Sequence, residues 1–324
     1  MKKLYPLKFK SIFKDKIWGG QKIKEVFGKD FSPLPNCGEA WVVSGVPGFE
    51  SVVENGFLAG NELNELIEVF MGDLVGDIIY EEFGEEFPVL IKFIDASDYL
   101  SIQVHPDDEL AKKRGFKNGK TEMWYIIDAE KDAELISGFS KKVTKDDYVK
   151  HLENKTLKSI LNVEKVKKDE VYFMPSGRVH ALGPGIMLAE IQQTSDTTYR
   201  IYDWDRIGVD GLPRDLHINE ALDAIDFNVY DNYKIDYKTD IDKTSEILKT
   251  VHFTTNILQF NSIIQKDYSE LDSFVIYICI HGKVTVNSNQ AVEFKAGEAI
   301  LIPNSVNIVE LIPAMESKIL EVYI

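Results

Sequence analysis

Four side chains that could bind a metal ion lie in three short segments of the sequence. Gln103 and His105 are two positions apart in Ser101–Pro106, and a strand there would direct both side chains to one face. Glu122 and His180 follow later in the chain. Two histidines and one glutamate suit a catalytic zinc ion, which keeps a coordination position open for water or substrate, whereas a glutamine oxygen is a less usual fourth ligand.

The residues alone leave a second interpretation of this set open. The spacing does not form a compact motif such as His-Glu-x-x-His. A single histidine before a proline on a strand, as in His105-Pro106, is commonly a packed or surface residue that binds nothing. A metal site and an ordinary polar cluster are therefore both compatible with these four side chains.

A second set of residues is cationic and lies in or beside the same segments: Lys92, Lys120, Arg178, Arg200 and Arg206. Lys92 stands among apolar residues, so a buried strand there would point its amine into a pocket or toward a carboxylate. Asp196 and Asp203 flank Arg200 and could hold it in place. A surface ion-pair network is the alternative, because 28% of the residues are charged. A cationic pocket would admit a phosphorylated substrate despite a net charge of −16.

Length and composition exclude several classes of protein. The 324 residues suggest two domains, and 44% hydrophobic residues can form a sizeable core, which excludes disordered and small disulfide-rich proteins. The excess of acidic residues disfavours binding to nucleic acid or to an anionic membrane surface. Cys37 and Cys279 are expected to be small buried hydrophobes. The N-terminus lacks the apolar core of a signal peptide, and no apolar run is long enough to span a bilayer, so we expect a cytoplasmic protein.

The elements that must position these side chains are mostly strands. Short runs rich in Val, Ile, Tyr and Phe predict strands over 41–44, 89–94, 100–104, 124–128, 171–174, 186–191 and 199–202. Helical spacing predicts helices at about 60–84, 107–115, 144–154 and 217–227. From about residue 250 the strand-like runs follow one another closely, as in an antiparallel sandwich or barrel: 252–258, 273–280, 283–287, 291–294, 299–302, 306–311 and 318–323.

A short internal repeat connects the two halves of the chain. Residues 169–175 can be laid over 297–303, and both read as an acidic turn, an apolar strand and a proline. Two copies of one β-roll would explain a mainly β chain of two domains. Motifs of P-loop, Rossmann and α/β-hydrolase enzymes, and the Cys-x-x-Cys motif, do not occur.

The same segments resemble type I mannose-6-phosphate isomerases, which are zinc enzymes of the cupin superfamily. The matching segments, in the family order, are Trp18–Gly20, Gly38–Trp41, LSIQVHPD (100–107), KTEMWY (120–125), PSGRVHAL (175–182) and SDTTYRIYDWD (195–205). The length is similar to that of the short bacterial subgroup. The resemblance implies a mainly β fold of two cupin-like jelly-roll domains with helical insertions in the N-terminal half. We expect a catalytic metal-binding domain over 1–238 and a metal-free cupin-like β domain over 239–324.

The resemblance also implies roles for individual residues. One zinc ion per chain would be bound by Gln103, His105, Glu122 and His180. Arg200 and Lys120 would be catalytic, and Lys92, Ser101 and Glu190 would surround a phosphosugar substrate.

The implied reaction is the interconversion of mannose 6-phosphate and fructose 6-phosphate through an enediol. Such a reaction needs a Lewis acid, a group that moves a proton and a cation near the developing charge. Two alternatives use the same residues: a metal-dependent cupin oxygenase with iron, and a non-catalytic regulator that binds a sugar phosphate. The cationic set argues against an oxygenase, and the complete ligand set argues against a regulator.

The repeat predicts why the C-terminal half would bind no metal. The overlay places Ile308 at the position of His180, and aligning residues 125–127 with 277–279 places Phe274 opposite Glu122. Large apolar residues fill the interior of a roll but cannot coordinate zinc.

Overall fold

The chain is built mainly from β-strands. The computed structural model describes residues 3–208 and 211–324. The strands up to residue 235 are β1 (Leu7–Lys8), β2 (Ile12–Lys14), β3 (Glu39–Val43), β4 (Val89–Ala96), β5 (Ile102–Val104), β6 (Glu122–Ala129), β7 (Glu134–Phe139), β8 (Leu161–Lys165), β9 (Val171–Met174), β10 (His180–Leu182), β11 (Ile186–Gln193), β12 (Tyr199–Tyr202) and β13 (Lys234–Ile235). The strands that follow are β14 (Lys243–Lys249), β15 (Thr254–Phe260), β16 (Ile264–Asp267), β17 (Val275–His281), β18 (Lys283–Asn287), β19 (Val292–Lys295), β20 (Ala299–Ile302), β21 (Ile308–Pro313) and β22 (Ser317–Tyr323).

Short helices connect some of these strands. The α-helices are α1 (Lys22–Phe27), α2 (Leu63–Phe70), α3 (Gly72–Val75), α4 (Asp77–Phe83), α5 (Asp108–Lys113), α6 (Lys145–Glu153) and α7 (Ile218–Ala224). Helices α5, α6 and α7 fall within three of the segments predicted to be helical. In the part of the chain that the structure describes, no helix has the length and apolar character needed to cross a membrane.

The helix predicted at about 60–84 is divided into three short helices, α2, α3 and α4. Met71, with a φ of 47°, separates α2 from α3, and Gly76, with a φ of 104°, separates α3 from α4. A positive φ interrupts the hydrogen-bond ladder of a right-handed helix. Because apolar residues recur at spacings of three and four across both interruptions, the periodicity alone predicts one helix.

The chain divides into two compact units that are not contiguous in sequence. The central unit comprises Phe13–Ala40 and Lys92–Ile235, and the terminal unit comprises Met1–Ile12, Trp41–Ile91 and Asp236–Ile324. The border expected after residue 238 lies close to an observed one, but two N-terminal segments belong with the C-terminal strands. One reason is that β1 pairs with β20, where Leu7 lies opposite Leu301. Another is that the ring of Phe87 packs 4.5 Å from the ring of Phe274.

The central unit places polar side chains between two sheets. It contains a five-stranded sheet, in the order β12-β5-β10-β7-β8, and most of a seven-stranded sheet, in the order β13-β9-β6-β11-β4-β3-β2. Ile94 and Trp124 of the larger sheet meet Leu135 and Leu182 of the smaller one in an apolar layer. The other face of the five-stranded sheet packs against residues of α6 and α7. Side chains alternate between the two faces along each strand, so the residues between those of this outer face point into the space between the two sheets.

The terminal unit repeats this plan. Its sheets have the orders β1-β20-β17-β22-β15-β14 and β16-β21-β18-β19, with an apolar core formed by both. The first order matches β13-β9-β6-β11-β4-β3 strand for strand, and the second matches β5-β10-β7-β8. Strands β9 and β20, which hold the two copies of the predicted repeat, occupy the same place in their sheets. The predicted repeat is confirmed, and it extends over both sheets.

Two residues of the terminal unit face away from the expected direction. The sequence overlay places Ile308 and Phe274 in the interior, but Ile308 is 45% exposed and Phe274 packs against Phe87. Their neighbours Val309 and Val275 belong to the core instead. Since side chains alternate along a strand, an error of one residue in the overlay exchanges the two faces. Both inward residues are apolar, so the physical reason for expecting no metal there is unchanged.

Candidate active site

Strand register brings the four predicted metal ligands together in the central unit. On the five-stranded sheet, His180 of β10 pairs with Gln103 of β5, and His105 follows β5 directly. Glu122 begins β6 in the other sheet. His105 Nε2 lies 3.3 Å from Glu122 Oε1, and His180 Nε2 lies 3.7 Å from Glu122 Oε2. Among residues 3–208 and 211–324, these three form a group whose potential ligand atoms all lie within 4.8 Å of one another.

The two histidines are held in the form that a metal ion requires. His105 Nδ1 is 2.9 Å from the carbonyl oxygen of Thr197, and His180 Nδ1 is 2.9 Å from that of Arg178. An Nδ1–H that donates to a carbonyl leaves the Nε2 lone pair free for a ligand bond. Burial lowers the pKa of His105 to about 3 and also lowers the pKa of His180. Both imidazoles are therefore neutral at pH 7, as metal coordination demands.

The buried carboxylate of Glu122 completes a set of acceptors that face one another. Burial opposes its ionisation, but Lys120 and the two histidines hold the pKa of Glu122 well below its ordinary range. Lys120 Nζ lies 2.7 Å from Oε1 as an ion pair, and no described residue donates a hydrogen bond to Oε2. The amide of Gln103 reaches the same point, where its Nε2 donates to His180 Nε2 at 3.3 Å, and a turn of the amide would present its oxygen Oε1 to a metal ion. Two neutral imidazoles, a carboxylate and an amide around one buried point fit a divalent cation.

A cavity of about 300 Å³ opens beside this group and is lined mainly by polar residues. Five cationic side chains line it: Lys16, Lys92, Lys120, Arg200 and Arg214. The predicted residues Ser101, Gln103 and Glu190 line it as well, and Ser101 Oγ lies 3.4 Å from Gln103 Oε1. Gln103, one of the four candidate ligands, therefore connects the ligand group to a cationic cavity wall.

Lys92 and Glu190 form a buried ion pair on neighbouring strands of the larger sheet. Lys92 Nζ is 3.0 Å from Glu190 Oε2, and Trp124 Nε1 donates to Glu190 Oε1 at 2.9 Å. Although burial opposes protonation, the attraction of Glu190 raises the pKa of Lys92. The expectation that Lys92 faces a pocket or a carboxylate is correct on both counts.

Arg200 lies at the edge of the ligand group but is not held as expected. On β12 it pairs with Gln103, and its guanidinium donates to the carbonyl oxygen of Asp215 at 2.8 Å. Its Nε is buried without an acceptor among the described residues. The expectation that Asp196 and Asp203 hold Arg200 is wrong. Asp203 follows the end of β12, and its carboxylate accepts hydrogen bonds from Arg206 and Arg214 of the next loop. Asp196 lines the cavity.

Two of the predicted cationic residues lie outside the cavity, and two cationic residues of the cavity are not predicted from the sequence. The guanidinium of Arg178 stacks 4.6 Å from the ring centre of Tyr230, and that of Arg206 binds Asp203. Lys16 and Arg214 line the cavity but stand in polar segments without periodicity. The only sequence signal for Lys16 is its position just before the Trp18–Gly20 segment.

Comparison with known proteins identifies the family. The model of the catalytic domain of type I phosphomannose isomerase matches residues 6–136. The mannose-6-phosphate isomerase ManA of Bacillus subtilis is 35% identical to this chain over 305 residues, covering 92% of this chain and 93% of ManA. The chain belongs to the mannose-6-phosphate isomerase family.

Further members of the family agree with this assignment. The mannose-6-phosphate isomerase of Streptococcus mutans is 33% identical over 302 residues and is covered to 93%, as is this chain. The crystal structure of the Bacillus subtilis mannose 6-phosphate isomerase superposes with a TM-score of 0.88 at 32% identity, covering 98% of this chain and 99% of that one. The predicted mainly β cupin fold and the predicted enzyme class, an isomerase, are confirmed. The buried His105–Glu122–His180 group agrees with a metal-dependent isomerase.

Proposed function

We propose that this isomerase interconverts mannose 6-phosphate and fructose 6-phosphate through an enediol, with one zinc ion bound by Gln103, His105, Glu122 and His180. The observation that carries the proposal is the buried His105–Glu122–His180 group beside a cation-lined cavity. The names of the Bacillus subtilis and Streptococcus mutans relatives support the substrate. The terminal unit is proposed to bind no metal.

The ligand set suits zinc because it combines two neutral imidazoles with a carboxylate. When bound, zinc supplies a Lewis acid for the negative charge that develops on O1 and O2 of the sugar.

Lys120 is the group that we propose to move the proton between C2 and C1. It lines the cavity, and its Nζ lies 2.7 Å from Glu122 Oε1 and 3.3 Å from His105 Nε2. Only 6% of its side chain is exposed. An amine in this position can exchange a proton with the substrate while bulk water is kept out.

Arg200 is proposed to stabilise the anionic character of the enediol. Its strand neighbour is Gln103, so the guanidinium belongs to the same end of the cavity as the metal ligands. A fixed cation at a developing charge acts strongly in a site that excludes water. Lys92, Ser101 and Glu190 are proposed to bind the sugar hydroxyls, since all three line the cavity with hydrogen-bonding groups.

A coupled assay for fructose 6-phosphate formed from mannose 6-phosphate tests the proposal. We expect activity that disappears with a chelator and returns with zinc. Glu122→Gln should remove activity, because the amide keeps the shape of the side chain and loses its charge. Wild-type protein that is loaded with zinc and does not isomerise mannose 6-phosphate would refute the proposed function.

A further inference from the structure

Two arginines bind one buried carboxylate, Asp203, and a third arginine, Arg200, lies near them beside the candidate active site. Arg214 binds Asp203 side-on, with Nε 2.7 Å from Oδ2 and Nη2 2.5 Å from Oδ1. Arg206 donates from Nη2 to the same Oδ1 at 2.7 Å. Arg200 lies close enough that Arg214, after burial, is the main cause lowering its pKa. Asp203 is 5% exposed, and although burial opposes its ionisation, Arg214 and Arg206 hold its pKa below the ordinary value.

The other cations of the cavity each have a carboxylate of their own. Lys16 Nζ lies 3.2 Å from Glu39, Lys92 pairs with Glu190, and Lys120 pairs with Glu122. The arginine cluster differs, because Arg206 and Arg214 share Asp203 as their buried carboxylate, and Arg206 also lies 3.4 Å from the exposed Asp98. Among the residues that the structure describes, Arg200 forms no ion pair with a carboxylate. Arg214 thus shares its carboxylate with Arg206, and Arg200 has none within ion-pair distance among the described residues.

The geometry of Arg214 leaves half of its guanidinium available. Asp203 uses Nε and Nη2, and no described residue accepts a hydrogen bond from Nη1. Arg214 lines the cavity, whereas Arg206 does not. The segment that carries Arg214 is fixed along β12, since His217 N donates to the Arg200 carbonyl oxygen at 2.7 Å and Asp215 accepts from the Arg200 guanidinium.

We propose that Arg214 binds the phosphate group of the substrate and that Asp203 is the residue that positions it. This inference rests on the proposed function, since it assigns the phosphate end of the same substrate. A planar guanidinium matches the oxygens of a phosphate, and one already anchored by a carboxylate loses little freedom when the phosphate binds. Arg200 then acts at the reacting end of the sugar while Arg214 acts at the phosphate end.

The first test compares a phosphorylated with an unphosphorylated substrate on the zinc-loaded full chain. We measure kcat/KM for mannose 6-phosphate and for mannose, and take their ratio as the preference for the phosphate. Arg214→Ala should lower this ratio roughly 100-fold, as when one partner of a desolvated charge pair is removed, mainly through KM. Arg214→Lys should restore part of it, because lysine keeps the charge without the planar fork.

Asp203→Asn tests the positioning role separately. The asparagine keeps the shape of the side chain but loses the charge that anchors Arg214. We expect the preference for the phosphate to fall roughly 10-fold, through KM and with less change in kcat, as for a lost charged hydrogen bond. An equal loss of kcat/KM on both substrates would show that Asp203 only supports the fold.

Arg114→Ala is the matched control. Arg114 is a half-buried arginine that pairs with Asp223 at 2.8 Å, stacks on the ring of Tyr199 and lies outside the cavity. Its removal should leave the preference for the phosphate unchanged. If Arg114→Ala and Arg214→Ala lower the ratio equally, the proposal is overturned.

A titration separates failure of this inference from failure of the proposed function. Glycerol 3-phosphate, with glycerol as the neutral counterpart, is titrated calorimetrically into the zinc-loaded wild type and into Arg214→Ala. We expect binding of the phosphate ester that weakens roughly 100-fold in the variant, whether or not the wild type isomerises mannose 6-phosphate. Equal affinity in both proteins, including a phosphate bound through the metal alone, overturns the assignment of Arg214.

Discussion

The central and terminal units have the same strand order but different interiors. In the central unit, Glu190 of β11 lies opposite Trp124 of β6, and in the terminal unit, Glu321 of β22 lies opposite Tyr277 of β17. Each unit thus holds a buried glutamate beside an aromatic residue at the same place in its sheet. In the central unit this glutamate pairs with Lys92 and lines a cavity.

In the terminal unit the corresponding glutamate is enclosed by its own neighbours. Glu321 Oε1 accepts from the Tyr268 hydroxyl at 2.5 Å and lies 2.7 Å from Lys266 Nζ, and Oε2 accepts from Asn256 at 2.7 Å. Tyr268 also contacts the hydroxyl of Tyr277. This network uses its polar groups internally, whereas the Glu122 carboxylate faces the ring nitrogens of His105 and His180, with Lys120 on one of its oxygens. Both units therefore have the same β-roll, and the side chains that face inward decide whether the roll contains a functional site.

The largest expected difference is between His180, a proposed metal ligand of the central unit, and Val309, an inward-facing residue on the corresponding strand of the terminal unit. His180→Ala should lower the zinc content and reduce turnover to background, because it removes one of the two imidazole ligands and leaves the weaker amide ligand in its place. Val309→Ala, on the corresponding strand β21, should keep both. Metal analysis and the coupled assay on the same preparations check this. Equal zinc content in wild type and His180→Ala would remove His180 from the ligand set.

Arg200 of the central unit is expected to contribute to the chemical step and little to stability. Arg200→Ala should lower kcat by about 10²-fold or more, the scale observed when a donor that stabilises developing charge is removed. Thermal stability should change little, since Arg200 has no buried carboxylate partner among the described residues. Steady-state kinetics with a melting curve measure both. A rise in KM with unchanged kcat would make Arg200 a substrate anchor and not a catalytic residue.

Glu321→Gln should affect stability and not chemistry. The substitution keeps the shape of the side chain but removes the charge that Lys266 and Tyr268 meet, and we expect a loss of about 2 kcal/mol in the free energy of unfolding. Zinc content and kcat of the folded variant should match the wild type. Denaturant unfolding measures the first quantity. Loss of zinc at unchanged stability would instead assign a metal-binding role to the terminal unit.

The smallest expected effect is for the two histidines of the terminal unit. The double variant His252→Ala, His281→Ala should keep a stoichiometry near one zinc per chain. His281 ends β17 at the surface, and neither residue belongs to the His105–Glu122–His180 group. Elemental analysis of the purified double variant provides the measurement. Two tightly bound zinc ions in the wild type, one of them lost in this variant, would show that the terminal unit has a site.

The sequence predicts the metal group better than it predicts its surroundings. Gln103, His105, Glu122 and His180 stand in short segments with a recognisable order, so their meeting could be anticipated. Strands with continuous apolar runs, such as β4 and β17, could be anticipated for the same reason. Strand β10 could not, because three residues after a turn are too short to show a pattern.

Features that depend on strand register or on long-range contacts could not be predicted from the sequence. The prediction that Ile308 and Phe274 face inward is wrong by one residue, because a seven-residue overlay does not specify which of two neighbouring side chains faces the interior. The anchoring of Arg214 by Asp203 depends on how the loop after β12 returns along that strand. The pairing of β1 with β20 joins residues almost 300 positions apart, which no local pattern shows.

The most direct test of the account is a titration of zinc into the metal-free protein, with zinc content and mannose 6-phosphate isomerase activity measured at each point. We predict that activity rises in proportion to bound zinc and reaches its maximum at one zinc per chain, and that Glu122→Gln binds zinc weakly and stays inactive. Full activity in the metal-free protein would contradict it. So would activity that rises until two zinc ions are bound, because the terminal unit would then take part in the chemistry.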